Sequence, residues 1–233
     1  MESDNLRYEL KFVFDKARQN KIFNWLFLKT DMVEVYQPRI VNSIYFDNFA
    51  FKSAADNLLG KSNRNKYRLR WYNEIFREKN STPFFEIKKK YNRLNIKEKV
   101  KISDFKNNPL DMKVFNIQNQ IREDMTLNFK NNLILNDVNF ISLFCSYNRK
   151  YFQSKVYDIR ATVDENINYR LPIKDLFLSA CPVSINRKII LEIKFPKENS
   201  RKVTEMLKSL STSSIRHSKY VVGLASFGMI NYI

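Results

Sequence analysis

Residues 66–72 read K-Y-R-L-R-W-Y, and this alternation constrains the fold more than any other feature of the chain. An extended strand throws successive side chains to opposite faces. Lys66, Arg68 and Arg70 therefore share one face, about 6.5 Å apart along the strand. Tyr67, Leu69 and Trp71 share the other. Like charges at that spacing repel, so the row needs counter-charges or an anionic ligand.

The pattern recurs along the chain. Arg7, Glu9 and Lys11 alternate with Tyr8, Leu10 and Phe12. Glu86, Lys88 and Lys90 share a face in F-F-E-I-K-K-K-Y, and Tyr147, Arg149 and Tyr151 form a shorter set. Asp158, Arg160, Thr162 and Asp164 lie opposite Ile159, Ala161 and Val163; Glu192 and Lys194 lie opposite Leu191, Ile193 and Phe195. Either these charged faces simply meet water, as in most antiparallel sheets, or they converge on a shared basic hollow. The dominance of Arg and Lys favours convergence, because solvated faces mix both signs with neutral polar residues. So does the recurrence of E-x-K at 9/11, 86/88 and 192/194. A carboxylate two residues from a cation points into the same space, where it binds a divalent metal or orients the cation.

Charge and composition narrow the partner. Lys and Arg number 41 against 24 Asp and Glu, a net charge of +17, which favours a polyanion: nucleic acid, phosphate polymer, nucleotide or anionic membrane. With 44% hydrophobic residues, 19 Phe and 12 Tyr, the 233-residue chain can bury a core, and it reads as one domain over 1–233. Three glycines exclude a P-loop or a dinucleotide fingerprint. One histidine excludes a histidine metal cage and weakens any His-dependent triad; His217 reads as a surface or helix-start residue. Two cysteines make no zinc site alone and fit a reducing interior, and Cys145 sits in an apolar strand. Charged and polar residues at the N-terminus leave no signal peptide, and V-V-G-L-A-S-F-G-M-I is too short to span a bilayer. A soluble, cytoplasmic protein is expected.

Strands are expected over 6–14, 41–47, 66–72, 84–91, 94–102, 140–148, 150–158, 158–165 and 187–195. Asp15 reads as the N-cap of a helix running to about Lys29, with Ile22, Phe23, Leu26 and Phe27 at helical spacing. A short helix ends near Gly60, and two more lie near 199–209 and 218–229. The polar, Asn-rich stretch 103–138 reads as short helices and loops. Asp47 is open to capping the helix that follows it or to binding metal, and Asp164 to a metal or to an arginine. The sum is an α+β fold: an antiparallel β-barrel tunnel, charged faces inward, with flanking helices.

The ordered set R-Y-E-L-K-F, S-I-Y-F-D, K-Y-R-L-R-W-Y, F-E-I-K-K-K, Y-N-R-K-Y, I-R-A-T-V-D, L-E-I-K-F and S-K-Y resembles the VTC domain, from Arg7 to Tyr220. This is the polyphosphate-polymerase branch of the triphosphate tunnel metalloenzymes, related to the CYTH group. The resemblance implies a metal-dependent enzyme that transfers the γ-phosphoryl of ATP, or of another nucleoside triphosphate, onto inorganic polyphosphate. It implies Arg68, Arg70, Lys88, Arg149 and Arg160 as catalytic residues. Lys11, Lys66, Lys194 and Lys219 would bind the substrate. Glu192, with Glu86 and Glu9 as further candidates, would hold Mn²⁺ or Mg²⁺. Hydrolytic relatives carry E-x-E-x-K in the first strand. Here its first position is Arg7, which weakens metal binding and favours anion holding. Membrane-spanning domains of the eukaryotic polymerase complexes are absent, so coupling to a membrane would need a separate partner. A hydrolase of triphosphates and a non-catalytic binder of polyphosphate or nucleic acid are the alternatives. Tyr67, Trp71 and Tyr72 could stack bases, but Tyr67 and Trp71 alternate with the cations and suit a core better.

Overall fold

A computed structural model describes residues 7–73, 83–91, 94–102, 107–128 and 140–232. The strands are β1 (Arg7–Asp15), β2 (Met32–Asp47), β3 (Asn63–Tyr72), β4 (Phe84–Tyr91), β5 (Leu94–Lys101), β6 (Phe140–Ser154), β7 (Arg160–Arg170), β8 (Val183–Asn186) and β9 (Lys188–Pro196). The α-helices are α1 (Gln19–Lys29), α2 (Lys52–Leu58), α3 (Val114–Asn128), α4 (Ser200–Leu207) and α5 (Lys219–Ala225). The protein is α+β, with its strands hydrogen-bonded in the order β1-β9-β7-β6-β2-β3-β4-β5 and β8 paired to β7.

That order corrects one expectation. The sheet is not closed into a barrel: among the described residues β1 and β5 stand at the two ends of the path. The physical reason lies in β5, whose stretch Lys97-Glu98-Lys99 puts charge along the end strand. Charged edge strands discourage further pairing.

The chain divides into two compact units, each woven from three separated stretches. The first comprises Met1–Arg39, Tyr147–Ile167 and Asn186–His217; the second comprises Ile40–Ser146, Asn168–Ile185 and Ser218–Ile233. In the first, β1 pairs with β9 and β9 with β7, all antiparallel. Their apolar faces supply Phe12, Phe14, Val163, Leu191 and Ile193 to a core that also takes Ile22, Trp25 and Leu26 from α1 and Val203 from α4. In the second, Tyr67, Leu69 and Trp71 of β3 and Phe85 and Ile87 of β4 pack with Val114, Ile117 and Ile121 of α3. The spacing i, i+3, i+7 puts those three helix residues on one stripe.

Several boundaries differ from the sequence reading. β2 begins at Met32, because its first half, through Ile40, is largely exposed and carries no alternation for a reader to see. Residues 140–154 form one strand where two were expected, and β7 extends to Arg170. Within 103–138, α3 is a 15-residue helix, while 103–106 and 129–139 lie outside the described residues. Asp15 makes no side-chain cap; its carboxylate pairs with the Lys188 ammonium at 2.5 Å.

Candidate functional site

In the second unit, strand register gathers the predicted cations on one side of the sheet. Arg70 lies opposite Ser43 and Arg68 opposite Tyr45 across β2–β3. Arg68 lies opposite Glu86 and Lys66 opposite Lys88 across β3–β4. β5 adds Lys99 opposite Glu86 and Lys97 opposite Lys88. The alternate residues Tyr67, Leu69 and Trp71 are at most 3% exposed, so the apolar half of the row is core and its charged half is a separate face.

Glu86 is the hub of that face. Arg68 Nε donates to its Oε2 at 2.7 Å, Arg70 Nη1 lies 3.8 Å from the same oxygen, and Lys97 Nζ lies 2.6 Å from Oε1. Glu86 is 3% exposed and Arg70 8%. Burial alone would raise the Glu86 carboxyl; the guanidinium groups of Arg68 and Arg70 and the Lys97 ammonium overcome it and bring the pKa down to about 2. Burial also lowers Lys97, to about 8, with Glu86 opposing and the two arginines adding to the fall. One carboxylate thus holds three cations in place.

The segment leading into α5 covers part of this face. Lys66 Nζ donates to Ser218 Oγ at 3.0 Å. The Tyr220 ring stacks on Tyr45 with centroids 4.9 Å apart, and its hydroxyl donates to Asp47 Oδ2 at 2.7 Å. Burial and the Asp47 carboxylate push the Tyr220 phenol up, so it remains a donor. Asp47 also accepts from the backbone N–H groups of Ser53 and Ala54. Of the two roles open to it, helix capping is the one seen. Lys88 and Lys219 are half-buried.

In the first unit, β1 and β9 form a checkerboard. Glu9 lies opposite Lys194 and Lys11 opposite Glu192. Lys11 Nζ is 2.8 Å from Glu9 and 3.7 Å from Glu192; Lys194 Nζ is 2.8 Å from Glu192 and 3.9 Å from Glu9. Each lysine therefore bridges both carboxylates. On β7, Thr162 lies opposite Glu192 and Arg160 opposite Lys194. Arg149 grips Asp164 in a bidentate pair, Nε to Oδ1 at 2.6 Å and Nη2 to Oδ2 at 2.7 Å. Burial opposes the Arg149 charge, but Asp164 outweighs it and raises the guanidinium well above its ordinary value. Asp164 is thus an arginine partner. Arg160, expected inside a tunnel, has a side chain 57% exposed and lies 3.8 Å from Asp158, which Arg7 also contacts at 2.8 Å.

A divalent ion fits some of these carboxylates and not others. Glu86 does not fit: both of its oxygens are taken by cations. Glu9 and Glu192 fit better: each has one oxygen held by a lysine at 2.8 Å and the other approached only at 3.7–3.9 Å, and Mg²⁺-type ions use one or two protein carboxylates and leave positions for phosphate oxygens. The Thr162 hydroxyl, beside Glu192 in register, is buried without a hydrogen-bond partner and adds an oxygen in need of one. Among the described residues no three His, Cys, Asp or Glu side chains group as a metal cage.

The residue missed from sequence is Lys97. Its signal was present: Lys97 and Lys99 alternate on β5 as the cations of β3 do.

Fold and faces define a class: an α+β protein with a mostly antiparallel sheet, apolar on the sides that form the cores and lined with clustered Lys, Arg and Glu on the others. The sequence model of the VTC domain matches residues 6–228, and the chain belongs to that family. Among solved structures, the PH1819 protein of Pyrococcus horikoshii OT3 matches with a TM-score of 0.52 at 13% identity, covering 96% of this chain and 99% of that one. At that identity the likeness shows a shared fold alone. A provisionally assigned adenylate cyclase of Vibrio parahaemolyticus matches at 11% identity and a TM-score of 0.48, over 93% of this chain and 97% of that one, too slight to carry an argument. No curated protein matches.

Proposed function

We propose that this chain, acting as one VTC domain over 1–233, transfers the γ-phosphoryl of ATP or another nucleoside triphosphate onto inorganic polyphosphate. The observation that carries the reading is the pair Arg68 and Arg70, gathered around the buried carboxylate of Glu86, with Lys66 beside them on the same face of β3. Phosphoryl transfer asks chiefly for positioning and charge neutralisation. Arg68, Arg70, Lys88 and Lys97 are preorganised for both, because Glu86 fixes the tips of Arg68, Arg70 and Lys97 before any anion arrives. Lys66 and Lys219 extend the grip along the phosphate chain. Arg149, Lys11 and Lys194 supply cations in the first unit, with Arg160 at its exposed margin. Glu9 and Glu192 would hold Mg²⁺ or Mn²⁺, which when bound neutralises phosphate oxygens. The nucleophile is the terminal phosphate oxygen of the growing chain. It is already an anion, so no general base is needed.

The nucleic-acid reading loses two of its three aromatic platforms, since Tyr67 and Trp71 are buried on the far side of β3. Among the described residues no helix is long and apolar enough to cross a membrane; attachment to one would run through a separate partner.

Incubation with ATP and Mn²⁺, with products resolved by length, tests the proposal. Long-chain polyphosphate is expected, and Arg68→Ala should abolish it with the far-UV circular dichroism unchanged. Release of free phosphate alone would make the protein a hydrolase. Tight polyphosphate or RNA binding without turnover would make it a binding module.

A further inference from the structure

The first unit leaves large apolar side chains in water where α1 ends. That helix closes on four successive apolar residues, Trp25, Leu26, Phe27 and Leu28. A surface helix buries one stripe, so four in a row cannot all face the core. Trp25 and Leu26 do; Phe27 is 52% exposed and Leu28 74%. The turn from β6 to β7 repeats the feature. Val156 lies in it, 73% exposed, where turn chemistry favours Gly, Asn, Asp or Ser over a β-branched residue. The bend itself is shaped by Ser154, whose hydroxyl accepts from the Val156 and Tyr157 backbone N–H groups at 3.2 and 2.8 Å.

Helix end and turn are pinned together. Asp31, three residues past Leu28, accepts from the Ser154 hydroxyl with its carboxylate. Its backbone carbonyl accepts from the Lys155 N–H at 3.3 Å. The Phe27 ring meets Phe152 of β6 edge-on, with centroids 5.8 Å apart. The charge beside these residues is mostly of one sign. Lys29 follows Leu28 and Lys155 precedes Val156; both are exposed, and neither enters an ion pair among the described residues. Lys202 reaches the same turn, its ammonium 5.5 Å from the centroid of the Tyr157 ring. The two carboxylates here are engaged, Asp31 as described and Asp158 by Arg7 at 2.8 Å.

Apolar tips flanked by lysines fit one kind of surface. A stable protein interface takes a contiguous, shape-matched patch of about 800 Å² on each partner. Three side chains standing out of a helix end and a turn do not make one. A bilayer needs no matching pocket: apolar tips enter the acyl boundary, and the lysines beside them meet anionic headgroups. The net charge of +17 draws the protein towards such a surface.

We propose that this end of the first unit docks on an anionic lipid bilayer, with Phe27, Leu28 and Val156 entering it and Lys29 and Lys155 lying at the headgroups. The contact is reversible, short of the stable attachment that a separate partner would give. It stands whether or not the face around Glu86 transfers phosphate. Sedimentation of the whole protein with vesicles of mixed phosphatidylcholine and phosphatidylserine provides the test. A basic protein adheres to any anionic surface, so the decisive change is an uncharged one. Leu28→Ala should weaken vesicle binding by about tenfold, the loss of the apolar groups it inserts. Lys155→Ala should weaken it by about fivefold. Both side chains are exposed, so folding is not at stake. In Leu28→Trp the indole emission should shift to the blue when vesicles are added, and adding Arg68→Ala should leave that shift in place. Leu28→Ala that binds vesicles as tightly as the parent, or emission in Leu28→Trp that does not move, overturns the assignment and leaves adhesion by charge alone. Self-association that Leu28→Ala abolishes, without vesicle binding, also overturns it and gives the patch to a second copy of this chain.

Discussion

Replacing Glu86 by Gln keeps the shape of the side chain and removes the charge that three cations share. The magnitude follows from its ionisation. A fall from 4.5 to about 2, at about 1.36 kcal/mol per pH unit, corresponds to about 3 kcal/mol of preference for the charged form in the folded state. Breaking a buried ion pair from one side costs a similar amount, about 3–5 kcal/mol. Glu86→Gln should therefore destabilise the protein by about 3 kcal/mol at pH 7 in urea unfolding. This is the cost of truncation and not the worth of the cluster, because burial simultaneously disfavours the Lys97 charge. The pH dependence gives a second check. The folded value lies below the unfolded one, so the contribution is complete above pH 4.5 and disappears as the pH falls through 2. The gap between the parent and Glu86→Gln should shrink to about 1.5 kcal/mol by pH 3. Equal stability at pH 7, or a gap that stays constant down to pH 3, would refute the hub.

Three other outcomes are expected. Arg149→Ala strands a carboxylate, Asp164, whose side chain is 0% exposed, and should cost about 3–5 kcal/mol in unfolding; Arg149→Lys should recover only part, because one ammonium cannot make the bidentate pair. Lys97 loses its charge near pH 8, so the difference in tripolyphosphate affinity between the parent and Lys97→Met should be largest below that pH and fade above it; a difference that persists at pH 9.5 would exclude Lys97 as the titrating group. In α5, a Cβ added at Gly223 would meet Leu143 Cδ2 at 2.4 Å and Tyr169 Cδ1 at 2.7 Å. Helix propensity alone predicts that Gly223→Ala gains about 1 kcal/mol, but overpacking should reverse the sign and lower the melting temperature by the equivalent of about 1–3 kcal/mol.

The charged faces were legible because a strand has a period of two and the residues alternate with it. Lys66, Arg68 and Arg70 could be assigned to one side, and Tyr67, Leu69 and Trp71 to the core, from spelling alone. Closure was not legible. Whether the end strands pair depends on edges, and nothing in the alternation of β1 or β5 encodes a partner. The use of Glu86 was equally hidden. E-x-K at 86 and 192 looks the same in sequence, yet Glu86 gathers Arg68, Arg70 and Lys97 from β3 and β5 while Glu192 shares two lysines with Glu9. The difference comes from cross-strand register, which a single strand does not contain.

Each compact unit draws on three stretches that other stretches interrupt. No contiguous piece cut from this sequence contains one unit whole without a large part of the other, so truncation of the gene yields no self-sufficient half. Assembly of either must wait for partners far away along the chain, which places this protein among the slow folders and leaves its half-made, strongly cationic intermediates exposed for longer than a helical bundle of the same size would.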